Sequence, residues 1–276
     1  MSIEPDPHPH RTPPSFIPLV GYPIGQVLTP PLFNAHFERT GQGTTMIPVE
    51  LLAGQAGNFF AALRGWTNCL GCSITIPHKQ AAFAAVDQRT PRAERAGAVN
   101  FLRRTADGLL VGDMTDGLAM TAAITQAGID LKGARVALAG AAGGAGGAIA
   151  DALCESGIAA LTLIDPQVDK CAVLAGQLKT RYPEVAISTS HGAQPLDVAI
   201  NASPMGMNAG DPYPLDLDLL KPRGAVADVV TKPVMTPLLL EAARRGHTIV
   251  RGDQMAAAQL PFQLAHLDSN SAENQR

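Results

Sequence analysis

Short apolar runs of strand length alternate along most of the chain with longer stretches whose apolar residues recur every three to four positions. Gly, Pro, Asn and Asp separate them. The short runs read as strands and the longer stretches as helices. In the first half, strands are predicted over 16–21, 45–49 and 70–76, and helices over 30–40, 51–64 and 77–86. Runs 98–103 and 109–112 flank a polar turn at 105–108, which is a hairpin signal. The second half predicts strands over 135–140, 161–165, 185–188, 197–201, 224–230 and 247–251, with helices over 147–156, 168–182 and 236–245. A final helix is expected from Met255 to His266. Strands separated by helices of about 10–15 residues make βαβ units and a parallel sheet, so the fold class is α/β. Residues 1–15, rich in proline, and the polar 268–276 read as a disordered leader and tail, with His8 and His10 in solvent.

Composition narrows the function. The 276 residues allow two medium domains at roughly 100–200 residues each. Lys and Arg total 21 against 24 Asp and Glu, a formal net charge of −3. This balance argues against nucleic-acid binding, which needs a basic stripe. No apolar run approaches about 18 residues, so no membrane span is expected. The N-terminus has no apolar core of a signal peptide. Four cysteines without such a signal fit reduced thiols in the cytoplasm. Cys69-Leu70-Gly71-Cys72 has the C-x-x-C spacing, but no second pair stands at zinc-ligand distance, and no metal site is expected. On a strand, residues three apart face opposite ways. The two are therefore expected to be separately packed thiols.

Three segments carry chemistry. Residues 139–150, Ala139-Gly140-Ala141-Ala142-Gly143-Gly144-Ala145-Gly146-Gly147-Ala148-Ile149-Ala150, lie between a predicted strand and a predicted helix. Small residues there let a backbone approach a pyrophosphate, which a helix N-terminus then receives. A helix packed tightly on a sheet would also need small residues. The acid Asp165, 22 residues beyond Gly143 and at the end of the next strand, is placed to meet a ribose hydroxyl and favours a dinucleotide site. Second, Ser73-Ile74-Thr75-Ile76-Pro77-His78-Lys79 puts hydroxyls on a strand end and a lysine in the first turn of a helix, against the helix dipole. Third, in Gly112-Asp113-Met114-Thr115-Asp116-Gly117, Asp116 is equally a helix cap for 118–126 or a functional acid.

Together with Gly21-Tyr22-Pro23-Ile24, Thr29-Pro30, Asn34, Gly97-Ala98-Val99-Asn100, the run from Asn201 to Met207, Asp228-Val229-Val230, Pro233, Thr236-Pro237-Leu238-Leu239, Gly252, Met255 and Gln259, these segments give the chain a resemblance to the shikimate/quinate 5-dehydrogenase family. The resemblance runs from about Pro18 to Phe262. It implies a substrate domain over 16–117 plus 252–267, and a Rossmann-type domain over 118–251. It implies an NAD(P)-dependent dehydrogenase acting on a ring hydroxyl, with Lys79 and Asp116 as the catalytic pair. Thr75, Asn100, Asp116 and Gln259 would hold ring hydroxyls, and Val27 and Thr29 would face the substrate carboxylate. Ala141, Ala142, Gly143, Gly144, Ala145, Asp165, Asn201, Ser203 and Val229 would bind the cofactor. Its nicotinamide would rest near Met205, Gly252 and Met255. The implied assembly is a monomer or homodimer.

The departures matter as much. The family's two carboxylate-binding serines are Val27 and Thr29 here, an asparagine is Ser73, another is Met114, and a tyrosine is Thr231. The proton-handling pair is kept while the substrate-reading shell changes, which points to a shifted substrate. Asp165-Pro166-Gln167 carries no Arg for a 2′-phosphate, so NAD is expected over NADP. Two alternatives compete: a catalytically idle dinucleotide-binding relative serving as sensor or partner, and a dehydrogenase of an unrelated small substrate such as a folate one-carbon unit.

Overall fold

The computed structural model describes residues 13–190 and 194–273. The first half opens with β1 (Ser15–Gly21), α1 (Thr29–Thr40), β2 (Thr44–Glu50), α2 (Ala56–Leu63), β3 (Gly71–Ile74) and α3 (Lys79–Ala85). It continues through β4 (Gln88–Arg89), α4 (Pro91–Ala96), β5 (Phe101–Arg104) and β6 (Leu110–Asp113). Its sheet has the order β2-β1-β3-β5-β6-β4. β1 is parallel to β2 and β3, while the hairpin β5–β6 turns antiparallel.

After α5 (Asp116–Gln126), the second half runs through β7 (Arg135–Ala139), α6 (Gly144–Glu155), β8 (Ala160–Ile164), α7 (Val168–Arg181) and β9 (Ala186–Ser188). β10 (Leu196–Asn201), β11 (Leu220–Asp228), α8 (Pro237–Arg244) and β12 (Thr248–Val250) follow. Its sheet is wholly parallel, in the order β12-β11-β10-β7-β8-β9. Sequence order reverses at β7, which leaves a crevice at the carboxyl ends of β7 and β10. α9 (Gly252–Glu273) returns to the first half. Its Leu260, Leu264 and Leu267 pack against Phe33, Phe37 and Phe101, while Met255 and Ala258 belong to the core of the second half. No described helix is long and apolar enough to cross a membrane.

Several expectations change. α9 does not stop at His266 but continues through Glu273, so 268–273, read as disordered tail, are helical. Leader residues 1–12 and tail residues 274–276 lie outside the described residues, and Ser15 already belongs to β1. α6 starts at Gly144 rather than 147, because packing overrides the poor helix propensity of Gly144, Gly146 and Gly147. Cys69 and Cys72 share one apolar cluster instead of facing opposite ways, since Cys69 precedes β3 and escapes strand alternation. Burial pushes the Cys69 thiol up to about 11 and the Cys72 thiol well above its ordinary range, which suits packed thiols. α4 was not anticipated. Six residues are too few for a periodic signal, although Thr90-Pro91 supplies the cap and first-turn proline that start it.

Candidate active site

A cavity of about 270 Å³ lies between the two halves. β3 and the loop after β1 wall one side, the loops after β10 and β11 the other, and α9 closes the end. Lys79 is the first residue of α3 and Asp116 the first of α5. Of the two roles open to Asp116, the cap falls to Thr115, and the Asp116 carboxylate faces the cavity. One oxygen accepts from Lys79 Nζ. The other accepts from Asn100 Nδ2 at 2.6 Å and Gln259 Nε2 at 2.8 Å. The ammonium at a helix start, disfavoured alone, is offset by a carboxylate in direct contact. Side-chain exposure is 15% for Lys79 and 5% for Asp116, so solvent screens the pair little. The site's position on the chemistry follows from three elements meeting at one carboxylate.

The end away from this pair is poor in donors. Val27 lines the cavity and also packs on the cluster of Ile17, Leu19, Phe33 and Phe101. Thr29 begins α1, where Pro30 and Pro31 remove two backbone N–H groups from the first turn. Thr29, Ser73 and Thr75 line the wall, with Ser73 buried. Thr231 Oγ1, also on the wall, donates to Gln26 O at 3.0 Å across the cleft, and Lys232 Nζ donates to Gly25 O at 2.9 Å. Lys79 is the one cationic side chain lining this cavity among the described residues.

On the opposite wall stand Ala145, Ser203, Val229, Gly252 and Met255. The glycine loop turns from β7 into α6. Gly140 has φ 76°, and a Cβ on Gly146 would lie 2.0 Å from Gly140 O, so the turn closes only around glycine. Gly143 caps α6 without a side-chain bond, leaving the first-turn N–H groups for an anion. The Asp165 carboxylate accepts from Ala142 N at 3.0 Å and Gln167 N at 2.9 Å, holding the loop and the end of β8 together. A glycine cradle, an anion-ready helix start and an acid beside it fit a dinucleotide.

Three expected cofactor contacts sit elsewhere. Ala141 is fully buried in the second-half core and offers no surface. Asn201 is fully buried too, and its amide is consumed internally: Nδ2 donates to Met205 O and Asp228, and Oδ1 accepts from Ser203 N and Oγ. Met207, not Met205, is the loop methionine on the cavity wall, because the turn around Gly206 reverses the chain between them. Leu28 had no signal in the sequence, and Ala202 and Met207 stood in the Asn201–Met207 run without being singled out, since loop conformation is what brings all three to the wall.

Comparison with known proteins agrees with this geometry. Residues 19–102 match the model of the shikimate dehydrogenase substrate binding domain. The shikimate dehydrogenase (NADP(+)) of Rubrobacter xylanophilus is 34% identical over 254 residues, covering 87% of this chain and 86% of its own. The crystal structure of shikimate 5-dehydrogenase from Thermus thermophilus with NADP(H) and shikimate superposes with a TM-score of 0.79 at 26% identity, covering 94% of this chain and 99% of that one. Quinate dehydrogenase from Corynebacterium glutamicum in complex with NAD gives 0.78 at 25% identity, covering 94% of each.

Behind the wall of Ser203 and Val229, Asp228 is fully buried and accepts from Asn201 Nδ2, Thr236 Oγ1 and Val230 N. It ties the loop after β10 to the loop after β11. Burial pushes its carboxyl up from 3.8 to about 6, against the lowering effect of those bonds. The folded chain thus holds this proton more tightly than the unfolded chain. The stability it contributes is full below pH 3.8 and is lost as pH rises through about 6. In urea titrations of wild type and Asp228→Asn, the wild-type advantage should shrink between pH 4 and 7 by at most about 3 kcal/mol. A difference that does not change with pH would show that Asp228 does not titrate in this way.

Proposed function

The chain belongs to the shikimate dehydrogenase family, and we propose that it is an NAD-dependent dehydrogenase of shikimate, quinate or a related cyclic hydroxy acid. The observation that carries this reading is the Lys79–Asp116 pair, facing the cavity beside the glycine loop. Retention of that pair with Asn100 and Gln259 weighs against an idle dinucleotide-binding relative. A nicotinamide dinucleotide held at Gly143, Gly144 and Ala145 would supply the hydride acceptor or donor. Lys79 Nζ then handles the proton at the reacting oxygen, giving it during ketone reduction and taking it during alcohol oxidation. Asp116 anchors that amine and offers its other oxygen to a ring hydroxyl, with Asn100 and Gln259 setting the carboxylate's angle. Thr75 is the nearby strand hydroxyl for a second ring oxygen. The apolar wall of Leu19, Ile74, Val229 and Met255 excludes water from the reacting carbon. Four free, buried cysteines support a reducing, cytoplasmic setting.

Asp165 underlies the choice of NAD. Its two oxygens already hold Ala142 and Gln167, which fixes the carboxylate where a ribose hydroxyl could donate to it and a 2′-phosphate would be repelled. The relative from Rubrobacter is named for NADP(+), so this chain would differ in its second nucleotide-binding turn. The ratio of kcat/KM for the two cofactors with one substrate should favour NAD, and a preference for NADP would refute the assignment.

Lys79→Ala should cut turnover by about 10²–10⁴, the usual loss of a positioned acid–base group, while NAD affinity by calorimetry stays close to wild type. Turnover near wild type would remove Lys79 from the chemistry. At the donor-poor end, a hydrogen bond to a carboxylate contributes roughly 1.5–3 kcal/mol. Val27→Ser should therefore lower KM for shikimate by about tenfold or more with kcat unchanged. Steady-state kinetics on shikimate and quinate make the test: KM unchanged or raised for both would mean that the carboxylate does not lie at Val27 and Thr29.

A further inference from the structure

α6 presents one face to the substrate half. Gly144, Ala148, Asp151 and Glu155 follow the i, i+4, i+7, i+11 spacing that lines up on a helix. All four meet the first half or the start of α5. A Cβ on Gly144 would lie 3.4 Å from Ala98 Cβ and 3.9 Å from Lys79 Cβ. Ala148 belongs to the apolar core of the first half, and a Cβ on Gly117 would lie 2.3 Å from Ala148 O. Asp151 Oδ2 accepts from Arg95 Nε of α4 at 2.6 Å, and Glu155 stands 3.7 Å from the same guanidinium.

The seam therefore has two fixed points about 10 Å apart along α6, at Gly144 and at Asp151. Both belong to one short stretch of the first half. Arg95 lies near the end of α4, and Ala98 follows the left-handed Gly97 that closes it. The next residue, Val99, donates its N–H to Lys79 O at 3.0 Å. So residues 95–99 touch α6 twice and hold the backbone of Lys79 once. The other Asp151 oxygen accepts from Arg181 Nη1 at 2.9 Å and Tyr182 Oη at 3.1 Å, groups of its own half. The carboxylate is thereby aimed from the cofactor side at Arg95. Arg181 and Tyr182 satisfy one oxygen from within the second half, and the other oxygen is met from across the seam by Arg95.

We infer that Arg95 and Asp151 are a positioning pair that sets the angle of α6, and with it the second-half wall of the cleft, against Lys79. The inference rests on the reading of Lys79 as the proton-handling residue. With Gly144 as the pivot, a tilt of α6 would carry the rest of the second half, including the wall at Ser203 and Val229, relative to the reacting oxygen, and a misplacement of about 1 Å can cost 10²-fold in rate. Neither binding site need be damaged on its own for that loss to occur.

The test compares wild type with Arg95→Leu, which keeps the apolar stem and leaves Asp151 paired with Arg181. NAD binding to the free enzyme is measured by calorimetry, kcat on shikimate or quinate by nicotinamide absorbance, and the radius of gyration by small-angle X-ray scattering. Arg95→Leu is expected to bind NAD within about twofold of wild type, to lose about tenfold or more in kcat, and to have a larger radius of gyration. Arg95→Lys, which restores the cation, should recover part of the rate. A folded Arg95→Leu with wild-type kcat would overturn the inference. So would a loss of NAD affinity that matches the loss of kcat, because that is general destabilisation. Failure here with Lys79→Ala still inactive would leave the reading of Lys79 intact. An active Lys79→Ala would overturn both.

Discussion

A carboxylate that is almost without solvent must be matched by donors, and the cleft is organised around that demand. Asp116 draws Lys79 from α3, Asn100 from the stretch before β5 and Gln259 from α9 to one point. Each donor sits on a different element, so the position of the carboxylate depends on the first half being fully assembled, including the returning C-terminal helix. Asn100 is itself locked: its Oδ1 accepts from Thr115 N, and its Nδ2 also reaches Thr115 Oγ1. Thr115 and Asp116 are adjacent, so the cap of α5 and the acid at its start are held by a single amide. Such a network is costly if one member is missing and rigid when all are present. Rigidity is what a proton-handling pair requires.

The second half meets this point by different means. Its loops carry almost no charge toward the cavity and rely on backbone approach, with glycine at the turn from β7 and a hub of buried bonds at Asp228. Asn201 and Asp228 are fully buried, and their bonds decide where Ser203, Met205 and Val230 stand. The second-half wall is thus shaped from behind, while the first-half wall presents its own polar side chains. The contrast explains why the two walls can change independently. The Lys79–Asp116 pair is joined by Asn100 and Gln259, whereas the wall near Val27 presents a valine and, in the first turn of α1, two prolines without N–H groups.

Among the described residues, contacts between the halves include three kinds. α6 packs on the first half through small residues, with Ala148 in its apolar core and Gly144 against Ala98. Arg95 and Asp151 add a charged contact farther along the same helix face. Thr231 and Lys232 reach across the mouth to the carbonyls of Gln26 and Gly25. The first is non-directional and tolerates sliding, while the other two are directional and fix angle. A two-layer enzyme of this type needs both, since apolar packing alone sets distance between helices but not their orientation.

Much of this was readable along the chain, because it depends on neighbours in sequence. Strand and helix periodicity located nearly every element, and the order strand, glycine run, helix, acid placed the dinucleotide loop. A lysine at a strand-to-helix junction was conspicuous for standing against the helix dipole. Tertiary structure decided the rest. The partners of Asp116 lie 37, 16 and 143 residues away, and Arg95 lies 56 residues from Asp151. No local pattern encodes those distances. The inward turn of Asn201, the exchange of Met205 for Met207 at the wall and the start of α6 within a glycine run are likewise choices of packing over propensity. A residue's local conformation is set by its own backbone and near neighbours, whereas its exposure, its partners and its charge environment exist only once distant segments are brought together.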